Sequence, residues 1–195
     1  MKQLLFGLFC FMIVFCKDQN IDVETKTEIK EPIKTNSVRM SIQWEYTNFP
    51  LEMKIYELSG SVPMTVWTTA TIPQDQKSPI GKEIEDGEFL MKPGTKKQFL
   101  LVAKNDLDKE IYFFAAPHSA LPVEHSFGFK FKCLCVNHAF FIPPKHFWYR
   151  VVEIRTSPDF LGDHLTLRHN LIGISKARMN EFTKASKETI HSEHE

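Results

Sequence analysis

The sequence predicts an all-β fold, an immunoglobulin-like β-sandwich of about eight short strands, and three observations lead there. Val38, Met40, Ile42, Trp44 and Tyr46 alternate with Arg39, Ser41, Gln43 and Glu45, the two-residue period of a half-buried strand. Several short runs rich in aromatic and β-branched residues follow, separated by Pro, Gly, Asn and Asp turn signals. No repeat and no long core-helix pattern interrupts the series.

The elements follow in order. Asn48-Phe49-Pro50 breaks the first strand, and Leu51, Met53 and Ile55 restart the alternation. Val62 to Ala70 is Thr- and Val-rich, with Pro63 marking an edge or a strand start. Lys92-Pro93-Gly94-Thr95 is a strong turn before the apolar run Phe99 to Ala103. Asn105-Asp106-Leu107-Asp108 turns the chain into a strand over Ile111 to Ala115. After Pro117 to Pro122 comes Phe127-Gly128-Phe129-Lys130-Phe131-Lys132, running into Cys133-Leu134-Cys135. Phe140 to Ile142, a Pro143-Pro144 turn, Phe147 to Ile154 and His164 to Leu171 complete the strands. Trp44, Trp67 and Trp148 are expected in the core or an interface, and the cluster Phe140, Phe141, Phe147, Trp148 and Tyr149 in the core, the alternative being an exposed surface that docks a membrane partner.

The termini set the organisation. Lys2 precedes an apolar run from Leu4 to Phe15, shorter than the about 20 residues a spanning helix needs but suited to a secretory signal. Cys16 ends it, and the chain then turns polar at Lys17-Asp18-Gln19-Asn20. An apolar run ending on cysteine is similar to a bacterial lipoprotein signal, with Ile13 at the aliphatic position and Phe15 where a small residue is usual. Lipidation of Cys16, cleavage nearby and an uncleaved anchor are the three alternatives, and all export the rest of the chain. Residues 1–16 are thus a signal peptide with a lipobox-like end, and 17–37 a flexible tether. The β-sandwich occupies 38–174, and 175–195 is a polar tail, helical or disordered. The expected location is the cell envelope, membrane-anchored and facing the periplasm.

Composition narrows the function. The 24 basic and 24 acidic residues balance, which gives no electrostatic case for nucleic acid. Seventeen phenylalanines against eight glycines indicate a well-filled interior. Cys133 and Cys135 are the only cysteines beyond Cys10 and Cys16. Two cysteines two residues apart cannot form a disulfide framework, and a bridge between them would be strained. On a strand, positions i and i+2 share a face, so both sulfurs would project together. Neighbouring thiolates make a soft-metal site, and Cu(I) is the natural occupant outside the cytosol. The thiolates must stay reduced in an oxidising compartment, which implies a thiol reductant as partner. Imidazole also binds copper, and His118, His125 and His138 bracket the pair, His138 most closely. His191 and His194 form no metal motif, and Asp159, Asp163 and His164 carry no weight by proximity alone. No catalytic triad, phosphate loop or zinc-protease motif is present, so no enzyme is expected; a thiol-disulfide enzyme would place its nucleophile at a helix N-terminus.

Lys92-Pro93-Gly94, Val102-Ala103-Lys104-Asn105, Lys130-Phe131-Lys132-Cys133-Leu134-Cys135, Pro143-Pro144 and Ser157-Pro158 follow one another in an order that resembles the CtaG family of cytochrome c oxidase assembly proteins. The resemblance is good across about residues 89–172 and faint across 38–58. Leu134 and Val136 stand where that family has phenylalanine, and Pro144-Lys145 where it has a glycine and an acidic residue. The resemblance implies a copper chaperone that delivers Cu(I) to cytochrome c oxidase subunit I, with a homodimer formed around copper. The family's further cysteine lies near its membrane anchor; here only Cys10 and Cys16 are candidates, and a lipidated Cys16 cannot bind metal. The alternative is a lipoprotein that sequesters copper, or serves structurally, with the same sandwich and no delivery role.

Overall fold

The computed structural model describes residues 36–60, 64–134 and 138–192. Cys16, the signal, nearly all of the tether and Cys135 lie outside these residues. Twelve strands form among the described residues: β1 (Val38–Thr47), β2 (Met53–Leu58), β3 (Thr69–Pro73), β4 (Ile80–Glu83), β5 (Glu88–Met91), β6 (Lys96–Asn105), β7 (Ile111–Ala115), β8 (Ser119–Leu121), β9 (Phe129–Lys132), β10 (Phe140–Ile142), β11 (His146–Thr156) and β12 (His164–Ile174). One helix, α1 (Lys176–Ser192), follows.

These strands build two six-stranded sheets, the all-β sandwich that the alternation predicts. The first runs β10-β7-β12-β1-β5, with β8 also on β12; the second runs β3-β11-β6-β2-β4, with β9 also on β11. β1 and β12 pair in parallel, with Met40 opposite Leu165, Ile42 opposite Leu167 and Trp44 opposite His169. The inward row of β12 is therefore Leu165, Leu167, His169 and Leu171, all fully buried. The facing row comes from β6 and β11, including Phe99, Leu101, Trp148, Val152 and Ile154. Phe113 sits at the centre, 4.9 Å from the Phe49 ring and 5.2 Å from both Phe140 and Trp148. Each such buried side chain contributes about 1.5–3 kcal/mol relative to exposure.

The count exceeds the expected eight or so because β4, β5 and β8 are three- or four-residue strands, too short to show a period. The Val62–Ala70 run does not form one strand. Trp67 takes φ 72°, a left-handed turn, and among the described residues of the run strand structure begins at Thr69. The Trp67 ring is also half exposed and lies outside the core, one of the two places expected for it. Phe140, Trp148 and Tyr149 are buried as expected, while Phe141 and Phe147 are intermediate.

The described part of the tail is a helix. Ser175 caps it, its Oγ accepting a hydrogen bond from the Arg178 amide at 3.2 Å. Phe182 packs 5.3 Å from Phe114 of β7, and Lys176 pairs with Glu110 at 3.1 Å. No helix among the described residues is long and apolar enough to cross a membrane.

The Lys92-Pro93-Gly94 turn meets Ser157-Pro158, and the Asn105 turn meets Pro143-Pro144. The Gly94 amide donates to the Ser157 carbonyl at 2.9 Å, and Thr156 Oγ1 to the Lys92 carbonyl at 3.1 Å. Fully buried Asn105 donates through Nδ2 to the carbonyls of Lys109 and Pro143, each at 2.9 Å. It also accepts from the Leu107 amide at 3.1 Å, which binds its own turn to the Pro143-Pro144 turn.

Candidate metal centre

β9 presents its aromatic residues inward and its lysines outward. Phe129 and Phe131 pack on the core, and Lys132 reaches Glu153, its register partner on β11. Strand structure ends at Lys132, so Cys133 lies in a bend and not on the strand expected for it. It keeps the inward direction of Phe131 and is 4% exposed. Leu134 is fully buried as well, so the alternation stops here. The shared-face argument for two sulfurs therefore does not extend past Lys132, because the chain leaves extended geometry where the apolar Leu134 enters the core.

One imidazole, His118, meets the Cys133 sulfur, and a second, His169, lies close by. His118 precedes β8, whose pairing places Ser119 opposite Arg168 on β12; one step further along sets His118 beside His169. The Cys133 Sγ to His118 Nδ1 distance is 3.4 Å, and the two imidazole centroids are 5.2 Å apart. One ligand atom from each of His118, Cys133 and His169 lies within 4.8 Å of the others. Trp44 stacks on His169 at 5.5 Å, and Phe131 meets His169 and His118 at 5.6 and 5.4 Å. The cluster thus lies between the sheets, with His169 from one and Cys133 from the other.

Arg150 bears on the charge at the site, while Glu153 lies with Lys132 on the outer side of its sheet. Burial lowers the Arg150 guanidinium's affinity for its proton, and the negative charge of the Cys133 sulfur opposes this. A guanidinium beside a sulfur favours its thiolate form, the form that binds metal. Arg150 is held by a 2.7 Å hydrogen bond to Thr69 Oγ1 and lies over the Phe140 ring. Burial raises the Glu153 carboxyl, but hydrogen bonds from Arg155 and Gln98 outweigh it and hold the group below the usual carboxylate range. A depressed carboxyl pKa stabilises the fold above the unfolded-state value, and that contribution is lost as pH falls through the folded one. Glu153→Gln is accordingly expected to cost about 2 kcal/mol at pH 7 and much less near pH 3. Denaturant melts at the two pH values check this.

His138, the nearest histidine in sequence, is not part of the cluster. Its ring packs edge-on to Phe140 at 5.1 Å, and burial followed by the Arg150 charge lowers its pKa. A second grouping, His125, Asp163 and His164, lies at the surface. His125 Nδ1 is 2.8 Å from the His164 carbonyl oxygen, and His164 Nδ1 is 2.7 Å from Asp163. Asp159 is not among them.

Sequence reading did not single out His169. One signal was available: in the inward series Leu165, Leu167, His169, Leu171 it is the polar member. The proximity of His118 to Cys133, 15 residues further along the chain, depends on the pairing of β8 with β12.

Fold and site together define an all-β sandwich with a buried sulfur–imidazole cluster at the end of one strand. Residues 38–174 match the family model described as a domain of unknown function, DUF8709, and the chain belongs to that family. No curated protein and no solved structure matches the chain.

Proposed function

We propose that this protein is an exported, membrane-tethered copper chaperone that holds Cu(I) at Cys133 and Cys135 and passes it to cytochrome c oxidase subunit I. The carrying observation is the Cys133 thiol set 3.4 Å from the His118 imidazole, with His169 beside them. Thiolate and imidazole are donors that copper prefers, and neighbouring Arg150 offsets thiolate charge. Cys135, two residues further along, lies outside the described residues and enters from its place in the sequence. The order of turns resembling the CtaG family supports delivery and assembly of a copper-linked homodimer. On this proposal Cys16 carries lipid or the N-terminal segment anchors the chain, the domain faces the periplasm, and a thiol reductant keeps the cysteines reduced. The protein binds and transfers; it catalyses no reaction.

One observation favours the second reading, a copper-sequestering lipoprotein. Transfer requires a partner's ligand to reach the ion, and Cys133 is only 4% exposed. Deleting the gene separates the two. Delivery predicts a fall in cytochrome c oxidase activity that added copper restores. Normal oxidase activity with heightened copper sensitivity would overturn delivery and support sequestration.

A further inference from the structure

We propose that His118 and His169 are metal ligands alongside Cys133, so that two imidazole nitrogens join the Cys133 thiolate in retaining Cu(I). This rests on the copper-binding function above and adds the identity of two ligands.

Geometry supplies the first argument. With metal–nitrogen and metal–sulfur bonds of about 2.0 and 2.3 Å, ligand atoms in a three-coordinate site stand about 3.7 Å apart. Cys133 Sγ and His118 Nδ1 are 3.4 Å apart, and all three ligand atoms lie within 4.8 Å of one another. Side-chain shifts of less than about 1 Å would close the set around an ion.

Charge supplies the second. Cu(I) held by two thiolates carries a net negative charge, which is costly between two apolar sheets. Cu(I) held by one thiolate and two neutral imidazoles carries none. His169 is fully buried and Cys133 nearly so, and this is where a neutral complex gains most.

Ring support supplies the third. His169 is stacked on Trp44 with an interplanar angle of 28° and meets Phe131 edge-on. His118 is held edge-on by Phe129 and Phe131 at 6.2 and 5.4 Å. Aromatic walls fix the imidazole planes and restrict water, which favours a low-coordinate soft ion.

X-ray absorption at the copper edge, on the full chain loaded anaerobically with one equivalent of Cu(I), tests the ligand set without any variant. The expected signal is a shell of nitrogen and sulfur with imidazole multiple scattering; a sulfur-only shell overturns the proposal. Competition against a chromophoric Cu(I) chelator supplies the second readout. His118→Phe and His169→Phe are each expected to weaken Cu(I) binding at least about a hundredfold, beyond what removal of an outer-sphere partner costs. Histidine variants that bind like wild type overturn the proposal. Wild type that binds no Cu(I) refutes the underlying copper function instead. Wild type that binds through sulfur alone refutes only the histidine ligands.

Discussion

Asn105→Leu is expected to destabilise the domain by about 3 kcal/mol and to lower its melting temperature by about 6–12 °C. The Asn105 side chain is fully buried and donates to the carbonyls of Lys109 and Pro143 while accepting from the Leu107 amide. Leucine keeps the branching at Cγ but leaves those backbone groups buried without their partner, at about 1–3 kcal/mol for each one that water cannot reach. The loss falls on the link between the β6–β7 turn and the Pro143-Pro144 turn, which leads directly into β11. Since β11 pairs with β9 just before Cys133, loosening this link should also weaken metal binding. Thermal melts followed by circular dichroism measure the first effect. A variant melting within 2 °C of wild type, about the shift a loss of 1 kcal/mol gives, would show that the network contributes little.

Cys133→Ser is expected to fold, with a loss of about 1 kcal/mol, and to bind Cu(I) at least about a hundredfold more weakly. A hydroxyl is a hard donor that stays protonated near neutral pH, so it supplies neither the charge nor the polarisability that Cu(I) selects. The change is nearly isosteric and leaves Leu134, fully buried in the core, in place. Chelator competition reads the affinity and a melt reads the fold, so loss of binding in a folded chain is attributable to the sulfur. An affinity within threefold of wild type would exclude Cys133 as a ligand.

Much of the fold is legible locally. β1, β7, β10, β11 and β12 carry their period or apolar run within their own residues, and their bounds fall within three residues of the expected ones. The Pro93-Gly94 and Pro143-Pro144 turns fall between strands as their residue types require. The short strands β4, β5 and β8 carry no such pattern, because neighbours and not their own side chains hold them extended. Trp67 misleads for a related reason. Its Thr- and Val-rich surroundings favour a strand, but the Trp67 amide donates to the Val151 carbonyl at 2.8 Å from a left-handed turn.

The site divides the same way. Cys133 stands out because cysteines are scarce and cluster after an aromatic run. His118 and His169 do not, since what joins them is the register of β8 on β12 and the packing of one sheet on the other. Contacts of that kind are set by tertiary structure and leave only a faint local trace, here a single histidine in an inward row of leucines.

Anaerobic Cu(I) titration of the full chain, followed by native mass measurement, tests the central claim most directly. The expected result is one Cu(I) per chain in wild type and none in the chain carrying both Cys133→Ser and Cys135→Ser. A wild-type chain that takes up no copper, or a doubly substituted chain that still takes up its equivalent, would contradict it.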